Sequence, residues 1–164
     1  MIRFPLIRSG ANGVWYIRYS SLGYLGQFQW GLADDVPIAG DFDGDGKTDL
    51  AIWRPSNGSW YIRYSLVGYG VSATGFYQWG VSGDIPLSGD FDGDGKTDLV
   101  VFRSSIGGWF LRLSSEGYSI NSSAYYQWGL PGDQPLALDF DGDGASDLVV
   151  YRPNTANGTC CFPR

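Results

Sequence analysis

The sequence is organised around a repeat of 49 residues, which favours folds built from similar, repeated units. The segment DFDGDGKTD occupies residues 41–49 and 90–98, and DFDGDGASD occupies 139–147. The triplet QWG keeps the same spacing at residues 29–31, 78–80 and 127–129. A period of this length is typical of repeat architectures, in which each repeat is one supersecondary unit and neighbouring units share a core.

The sequence pattern of each repeat predicts four short antiparallel strands. In the first full repeat they are residues 36–40, 50–54, 60–64 and 76–79, and an Asn-Gly turn joins the second strand to the third. Asn-Gly between two apolar runs is a strong hairpin signal. No helical periodicity competes with this pattern. We therefore predict an all-β fold made of β-propeller-type blades, each with four antiparallel strands.

The ends of the chain predict how the units are completed. We interpret residues 1–164 as one repeat domain, with blades at 36–80 and 85–129 and part blades at 1–31 and 134–164. Three repeats are too few to enclose a propeller channel, because closed rings have about four to eight blades. The two part blades carry complementary strands, so we expect strand sharing between chains, giving a homo-oligomeric ring or a filament. The alternative is a piece of a larger adhesion propeller.

The three Asp-rich segments predict three calcium sites. The predicted ligands are the side chains at positions 1, 3, 5 and 9 and the carbonyl at position 7: Asp41, Asp43, Asp45, Lys47 and Asp49; Asp90, Asp92, Asp94, Lys96 and Asp98; Asp139, Asp141, Asp143, Ala145 and Asp147. Oxygen-only donors in a glycine-rich loop suit Ca²⁺ better than Mg²⁺ and disfavour soft metals. An EF-hand is excluded, since position 12 is Ile52, Val101 or Val150 in place of glutamate.

Simple turns are the competing interpretation, because Asp and Gly favour turns. A turn needs one or two such residues, whereas each segment carries four carboxylates in nine positions. Clustered carboxylates repel one another without a cation, which favours calcium.

The three Asp segments, each followed by an apolar strand, resemble the FG-GAP or VCBS-type repeat family and are similar to the calcium loops of integrin α-subunit propellers. With its flanking strands the resemblance covers most of residues 13–159. It implies a β-propeller with calcium on loops at one face, used outside the cell for adhesion or recognition. It also implies the aspartate ligands named above. Family propellers commonly have about seven blades, whereas this chain has three loops.

Charge narrows the choice of partners. The net charge is −6, which argues against nucleic acid. No apolar run is long enough to insert into a membrane. Calcium sites of millimolar affinity fill outside cells and stay empty in the cytosol, so we expect an extracellular or cell-surface protein.

We do not expect an enzyme. The chain has no histidine, and the carboxylates outside the Asp segments are Asp34, Asp35, Asp84, Glu116 and Asp133. Asp35, Asp84 and Asp133 recur with the repeat, which predicts turn or cap roles for them and no single active site.

Aromatic residues suggest glycans or cell-surface proteins as partners. We expect Trp30, Trp79 and Trp128 to pack between blades, because aromatics that recur in every repeat fill the shared core. Tyr24, Tyr69 and Tyr118 are the predicted exposed aromatics for a lectin-like site.

Other motifs leave alternatives open. Glycosylation sequons lie at Asn57, Asn121 and Asn157. The adjacent Cys160 and Cys161 form a vicinal disulfide, pair with another chain, or stay free.

Overall fold

The computed structural model describes residues 12–21 and 25–153, and this part of the chain is all-β. Its strands pair antiparallel throughout, and its one helical segment is a 3-10 turn at Ile120–Ser122. The predicted all-β class and the predicted four-stranded antiparallel sheets are confirmed. No described helix is long and apolar enough to span a bilayer.

Two four-stranded sheets repeat the same topology. The first contains β3 (Val36–Gly40), β4 (Asp49–Arg54), β5 (Ser59–Arg63) and β6 (Thr74–Gln78); the second contains β7 (Ile85–Gly89), β8 (Asp98–Arg103), β9 (Gly108–Arg112) and β10 (Ala124–Gln127). In each sheet the strands lie side by side in chain order. The register also repeats, since Trp53 pairs with Trp60 and Phe102 with Trp109.

Two further sheets have two strands each. The first pairs β1 (Asn12–Arg18) with β2 (Leu25–Leu32), and the second pairs β11 (Gln134–Leu138) with β12 (Asp147–Tyr151). Trp15 pairs with Phe28 as Trp60 pairs with Tyr77, so β1 and β2 correspond to the third and fourth strands of a complete sheet. β11 and β12 correspond to the first and second strands.

The core lies between successive sheets. β4 and β8 are buried along almost their whole length, and Trp60 and Trp109 are fully buried. One apolar cluster joins Trp53 and Trp60 of the first sheet to Leu99 and Val101 of the second. The first strands β3, β7 and β11 contact one another in that order. Burial of these apolar side chains between sheets is the main stabilisation available to such short strands.

The tryptophans that recur in the QWG triplets differ in burial. Trp79 packs against the core cluster, as predicted, whereas Trp128 is 44% exposed. Trp79 also lies outside β6, although the sequence placed it in the fourth strand. Its backbone N–H donates to the carbonyl of Gly58 on the β4–β5 turn (3.0 Å). Gly80 then turns the chain with φ of 117°.

Two of the sequons are surface positions. Asn57 and Asn121 are exposed, the first on the β4–β5 turn and the second in the 3-10 turn. Asn157, Cys160 and Cys161 lie outside the described residues.

Candidate functional site

Each Asp segment forms the loop between the first and second strand of its sheet, and its first aspartate holds the loop together. The Asp41 carboxylate accepts hydrogen bonds from the backbone N–H groups of Gly44 (2.6 Å), Asp45 (3.2 Å) and Gly46 (2.7 Å). Gly44 and Gly46 have φ of 80° and 83°, a conformation that side chains disfavour. Asp90 and Asp139 hold their loops in the same way.

The loops bring three carboxylates together. In the first loop, oxygens of Asp41, Asp43 and Asp45 all lie within 4.8 Å of one another. The equivalent clusters are Asp90, Asp92 and Asp94 in the second loop and Asp139, Asp141 and Asp147 in the third. These are hard oxygen donors at a partly exposed loop, which is the donor chemistry that Ca²⁺ prefers.

The ninth residue has a different place in the first two loops. Asp49 is fully buried and accepts hydrogen bonds from the N–H groups of Phe42 (2.7 Å) and Ser65 (2.7 Å). Asp98 repeats these bonds with Phe91 and Ser114. Burial raises the pKa of Asp98 to about 6 against the effect of those two donors, and it raises the pKa of Asp49 as well. The structure therefore buries this carboxylate, and through it ties the loop to the serine that follows the third strand.

The third loop is arranged differently. Asp147 joins its cluster and Asp143 does not, whereas Asp45 and Asp94 belong to theirs. Asp143 accepts a hydrogen bond from Ala145 N–H (2.8 Å), as Asp45 does from Lys47 N–H (2.9 Å).

Residue 7 of the loop was predicted to offer its carbonyl, and in the first loop its side chain also matters. The Lys47 ammonium lies 3.0 Å from Oδ2 of Asp45. The Ser65 hydroxyl and then this ammonium lower the pKa of Asp45, and Asp45 raises the pKa of Lys47. One ammonium against three converging carboxylates leaves the loop with net negative charge, which fits a divalent cation.

The match to known repeats covers the first two of these loops. Residues 41–101 match the FG-GAP-like repeat. This confirms the resemblance drawn from the Asp segments. No curated protein and no solved structure matches the chain.

Successive loops contact each other through the backbone. The N–H of Asp41 donates to Oγ1 of Thr97 (2.9 Å), and the N–H of Thr97 donates to the carbonyl of Asp41 (2.8 Å). The N–H of Ser146 likewise donates to the carbonyl of Asp90 (2.5 Å). The three loops therefore form a continuous row along one end of the sheets.

Tyr118 corrects the sequence-based interpretation of the exposed aromatics. It is 6% exposed, and its hydroxyl donates to the carbonyls of Phe42 (3.1 Å) and Thr97 (2.7 Å), which ties the first loop to the second. Tyr69 is half-buried with φ of 59°, and its hydroxyl donates to the carbonyl of Thr48 (2.9 Å). Both tyrosines therefore lie on the turn after the third strand of their sheet and hydrogen-bond to backbone carbonyls of the Asp loops. Tyr24 lies outside the described residues.

Three Asp–Arg pairs stand at the opposite end of the first and second strands. Asp35 accepts from the N–H of Leu32 (2.7 Å) and from two nitrogens of Arg54 (2.8 and 2.9 Å). Burial on its own raises the pKa of Asp35, but the bonds from Arg54 and Leu32 outweigh it and bring the pKa below its ordinary value. The equivalent pairs are Asp84 with Arg103 and Asp133 with Arg152.

The predicted turn roles of these aspartates agree with the structure, but their arginine partners were missed. The signal was present in the sequence, because Arg54, Arg103 and Arg152 recur with the repeat. Spacing alone does not reveal that the two residues face each other across the first and second strands.

Proposed function

We propose that this chain is a calcium-binding structural repeat module with one ion in each of its three Asp loops. The observation that carries the proposal is the convergence of three carboxylates within 4.8 Å in every loop. The proposed ligands are the clustered aspartates of each loop. The further predicted donors are the position-7 carbonyls of Lys47, Lys96 and Ala145 and the remaining loop aspartates, which are Asp49, Asp98 and Asp143. Bound calcium supplies the positive charge that the clusters lack and binds carboxylate and carbonyl oxygens together.

The row of loops explains why such ions would be structural. The loops contact one another through Asp41 with Thr97 and Asp90 with Ser146. Stiffening a loop therefore also stiffens the junction between successive sheets. Because calcium sites of millimolar affinity fill only at the calcium concentrations found outside cells, we propose that the protein lies outside the cell or on its surface.

The sheets are proposed to be propeller-type blades that associate between copies, either into a closed ring or into an open filament. The two-stranded sheets at the two ends of the described chain support this, because one supplies the first two strands of a blade and the other the last two. Inclusion in a larger adhesion propeller is the alternative, and it requires the same loops and sheets.

We propose a binding and structural role without catalysis. The buried carboxylates outside the loops are engaged by backbone N–H groups and by arginines, as Asp84 is by Val81 and Arg103. Their recurrence in each sheet is typical of structural roles.

The external partner is proposed to be a glycan or a cell-surface protein. Each complete sheet carries an aromatic pair on its third and fourth strands: Tyr61 with Phe76 and Phe110 with Tyr125, at ring-centroid distances of 5.2 and 5.0 Å. Phe76 is 58% and Tyr125 51% exposed. Flat apolar faces of this kind can stack on sugar rings. The acidic charge opposes nucleic acid.

Calorimetric titration of the chelator-treated chain with calcium, followed by light scattering of the same samples, tests the proposal. We expect binding of about three ions at submillimolar to millimolar affinity, and a larger molar mass in calcium than in chelator. The matched control carries Asp43→Asn, Asp92→Asn and Asp141→Asn, which keep an oxygen for the backbone N–H of Asp45, Asp94 and Asp143 and remove one charge from each cluster. Absence of binding at millimolar calcium, or equal binding by this control, would overturn the calcium assignment.

A further inference from the structure

In both complete sheets, a serine after the third strand completes the Asp loop. The Ser65 N–H donates to Oδ1 of Asp49 (2.7 Å) and its hydroxyl to Oδ1 of Asp45 (2.8 Å). Ser114 makes the same two bonds with Asp98 and Asp94, at the same distances. The loop is therefore closed by a strand that follows it in the same sheet.

The third loop has no such serine within the described residues. Asp147 accepts a hydrogen bond from Phe140 N–H (2.8 Å) through Oδ2, and no described residue donates to its Oδ1. It is half-buried, whereas Asp49 and Asp98 are fully buried. β12 is likewise half-buried where β4 and β8 are buried, because β11 is the one described strand that pairs with it.

The tryptophans of the QWG triplets show the same pattern. The Arg63 guanidinium lies 5.2 Å from the ring centroid of Trp30, and the Arg112 guanidinium lies 5.5 Å from that of Trp79. Each arginine also donates to the carbonyl before its tryptophan (3.2 Å). No described arginine stacks on Trp128, which is 44% exposed. Cation–π stacking on a tryptophan face is favourable, and more so when desolvated.

The groups that would complete the third sheet are present at the other end of the described chain. Residues 15–20 read WYIRYS, identical to residues 60–65. Arg18 and Ser20 are exposed, whereas the equivalent Arg63 and Ser65 are each 8% exposed. The same side chains are therefore buried in a complete sheet and left in solvent on β1 and the turn after it.

The β1–β2 hairpin already has the shape of the strands that it would replace. The Trp15 indole N–H donates to the carbonyl of Trp30 (3.1 Å), as the Trp60 indole does to that of Trp79 (3.0 Å). Docking therefore requires little reorganisation of the hairpin, which lowers the entropic cost of association.

We infer that the β1–β2 hairpin of a second copy of this chain docks on β12, where its Ser20 completes the third Asp loop and its Arg18 stacks on Trp128. This inference rests on the proposed self-association and names its contacts. The register follows from β4 and β5, in which Ile52 pairs with Tyr61 and Leu50 with Arg63. The equivalent pairs across the junction are Val150 with Tyr16 and Leu148 with Arg18.

A site completed across two copies couples calcium to assembly. An ion that binds the completed third loop more tightly than the open loop must favour the associated state by the same factor. The first and second loops lie within single sheets, so they are not coupled to association in this way.

Disulfide trapping between two differently labelled chains tests the register. In a Cys160→Ser, Cys161→Ser background, chains carrying Tyr16→Cys are mixed with chains carrying Val150→Cys under oxidised glutathione, in calcium and in chelator. The control replaces Tyr16→Cys with Ile17→Cys, because neighbouring residues of a strand point to opposite faces. We expect the first mixture to cross-link at least about tenfold faster than the control, since a disulfide needs Cβ atoms that point toward each other as well as Cα atoms within about 7 Å. We also expect it to cross-link faster in calcium than in chelator.

Light scattering of the same mixtures separates the two proposals. Association with equal cross-linking of both mixtures would refute the register and leave self-association standing. Absence of association in calcium would refute both. If Tyr16→Cys and Val150→Cys cross-link faster than the control but at the same rate in calcium and in chelator, the completion of the third calcium site by Ser20 is refuted.

Discussion

Replacing Asp92 by asparagine should change stability in opposite directions with and without calcium. Asp92 belongs to the second carboxylate cluster, and its oxygens accept from the N–H of Asp94 (3.3 Å) and the hydroxyl of Ser115 (2.5 Å). Asparagine keeps an oxygen for the N–H and an amide that can donate to the Ser115 oxygen. The substitution therefore removes a charge while keeping the local hydrogen bonds.

The first magnitude follows from the geometry of the cluster, and the second follows from the affinity expected of an extracellular calcium site. Two carboxylate pairs within 4.8 Å repel by about 0.9 kcal/mol each in a water-like dielectric, and salt reduces their sum to about 1 kcal/mol. Asp92→Asn should stabilise the calcium-free protein by that amount. A site with a dissociation constant of about 0.1–1 mM contributes about 1.4–2.7 kcal/mol in about 10 mM calcium. The variant should lose most of this contribution.

Urea unfolding followed by tryptophan fluorescence, in chelator and in calcium, measures both effects. Glu116→Gln is the matched control, because Glu116 is an exposed carboxylate outside the loops. It should change the free energy of unfolding equally in the two conditions. If Asp92→Asn also shifts stability equally in both, the second loop does not bind calcium through Asp92 and the repulsion argument is wrong.

Two further predictions concern the supports of the site. Tyr118→Phe leaves the buried carbonyls of Phe42 and Thr97 without their donor and should lower the free energy of unfolding by roughly 1–3 kcal/mol. The control Tyr69→Phe removes an exposed bond to Thr48 and should lower it by less than about 0.5 kcal/mol. Equal losses for the two variants in urea unfolding would contradict the burial argument. Asp35→Asn should cost about 1–2 kcal/mol at neutral pH, because it breaks the paired bonds to a partly exposed Arg54. Since the folded pKa of Asp35 lies below its ordinary value of 3.8, this stabilisation is fully present above that value and is lost as pH falls from it through the folded pKa. The gap between wild type and variant in urea unfolding should therefore shrink from pH 5 to pH 3, and a gap that widens would show that the Asp35 carboxylate is not stabilised by Arg54.

Local chemistry made much of the site predictable from the sequence. The winding of each loop depends on contacts within six residues, such as those from Gly44 and Gly46 to Asp41, and on glycine at positive φ. The strand pattern depends on local alternation and on turn dipeptides. These features recur with the repeat, so one sequence establishes them three times.

Packing between distant residues decided the rest. Asp49 looks like its loop neighbours in sequence, yet it is buried, and Ser65 contacts it from the turn after the third strand. Tyr118 looks like a surface aromatic, yet it lies between two loops that are 49 residues apart in the repeat. Identical segments also differ in burial: residues 60–65 lie inside a four-stranded sheet, and residues 15–20 lie at the edge of a two-stranded one. The sequence by itself determined the repeat, the strands and the loop winding, because these depend on neighbouring residues. Only the tertiary structure decided which of the repeated side chains are covered, because burial depends on which strand lies alongside.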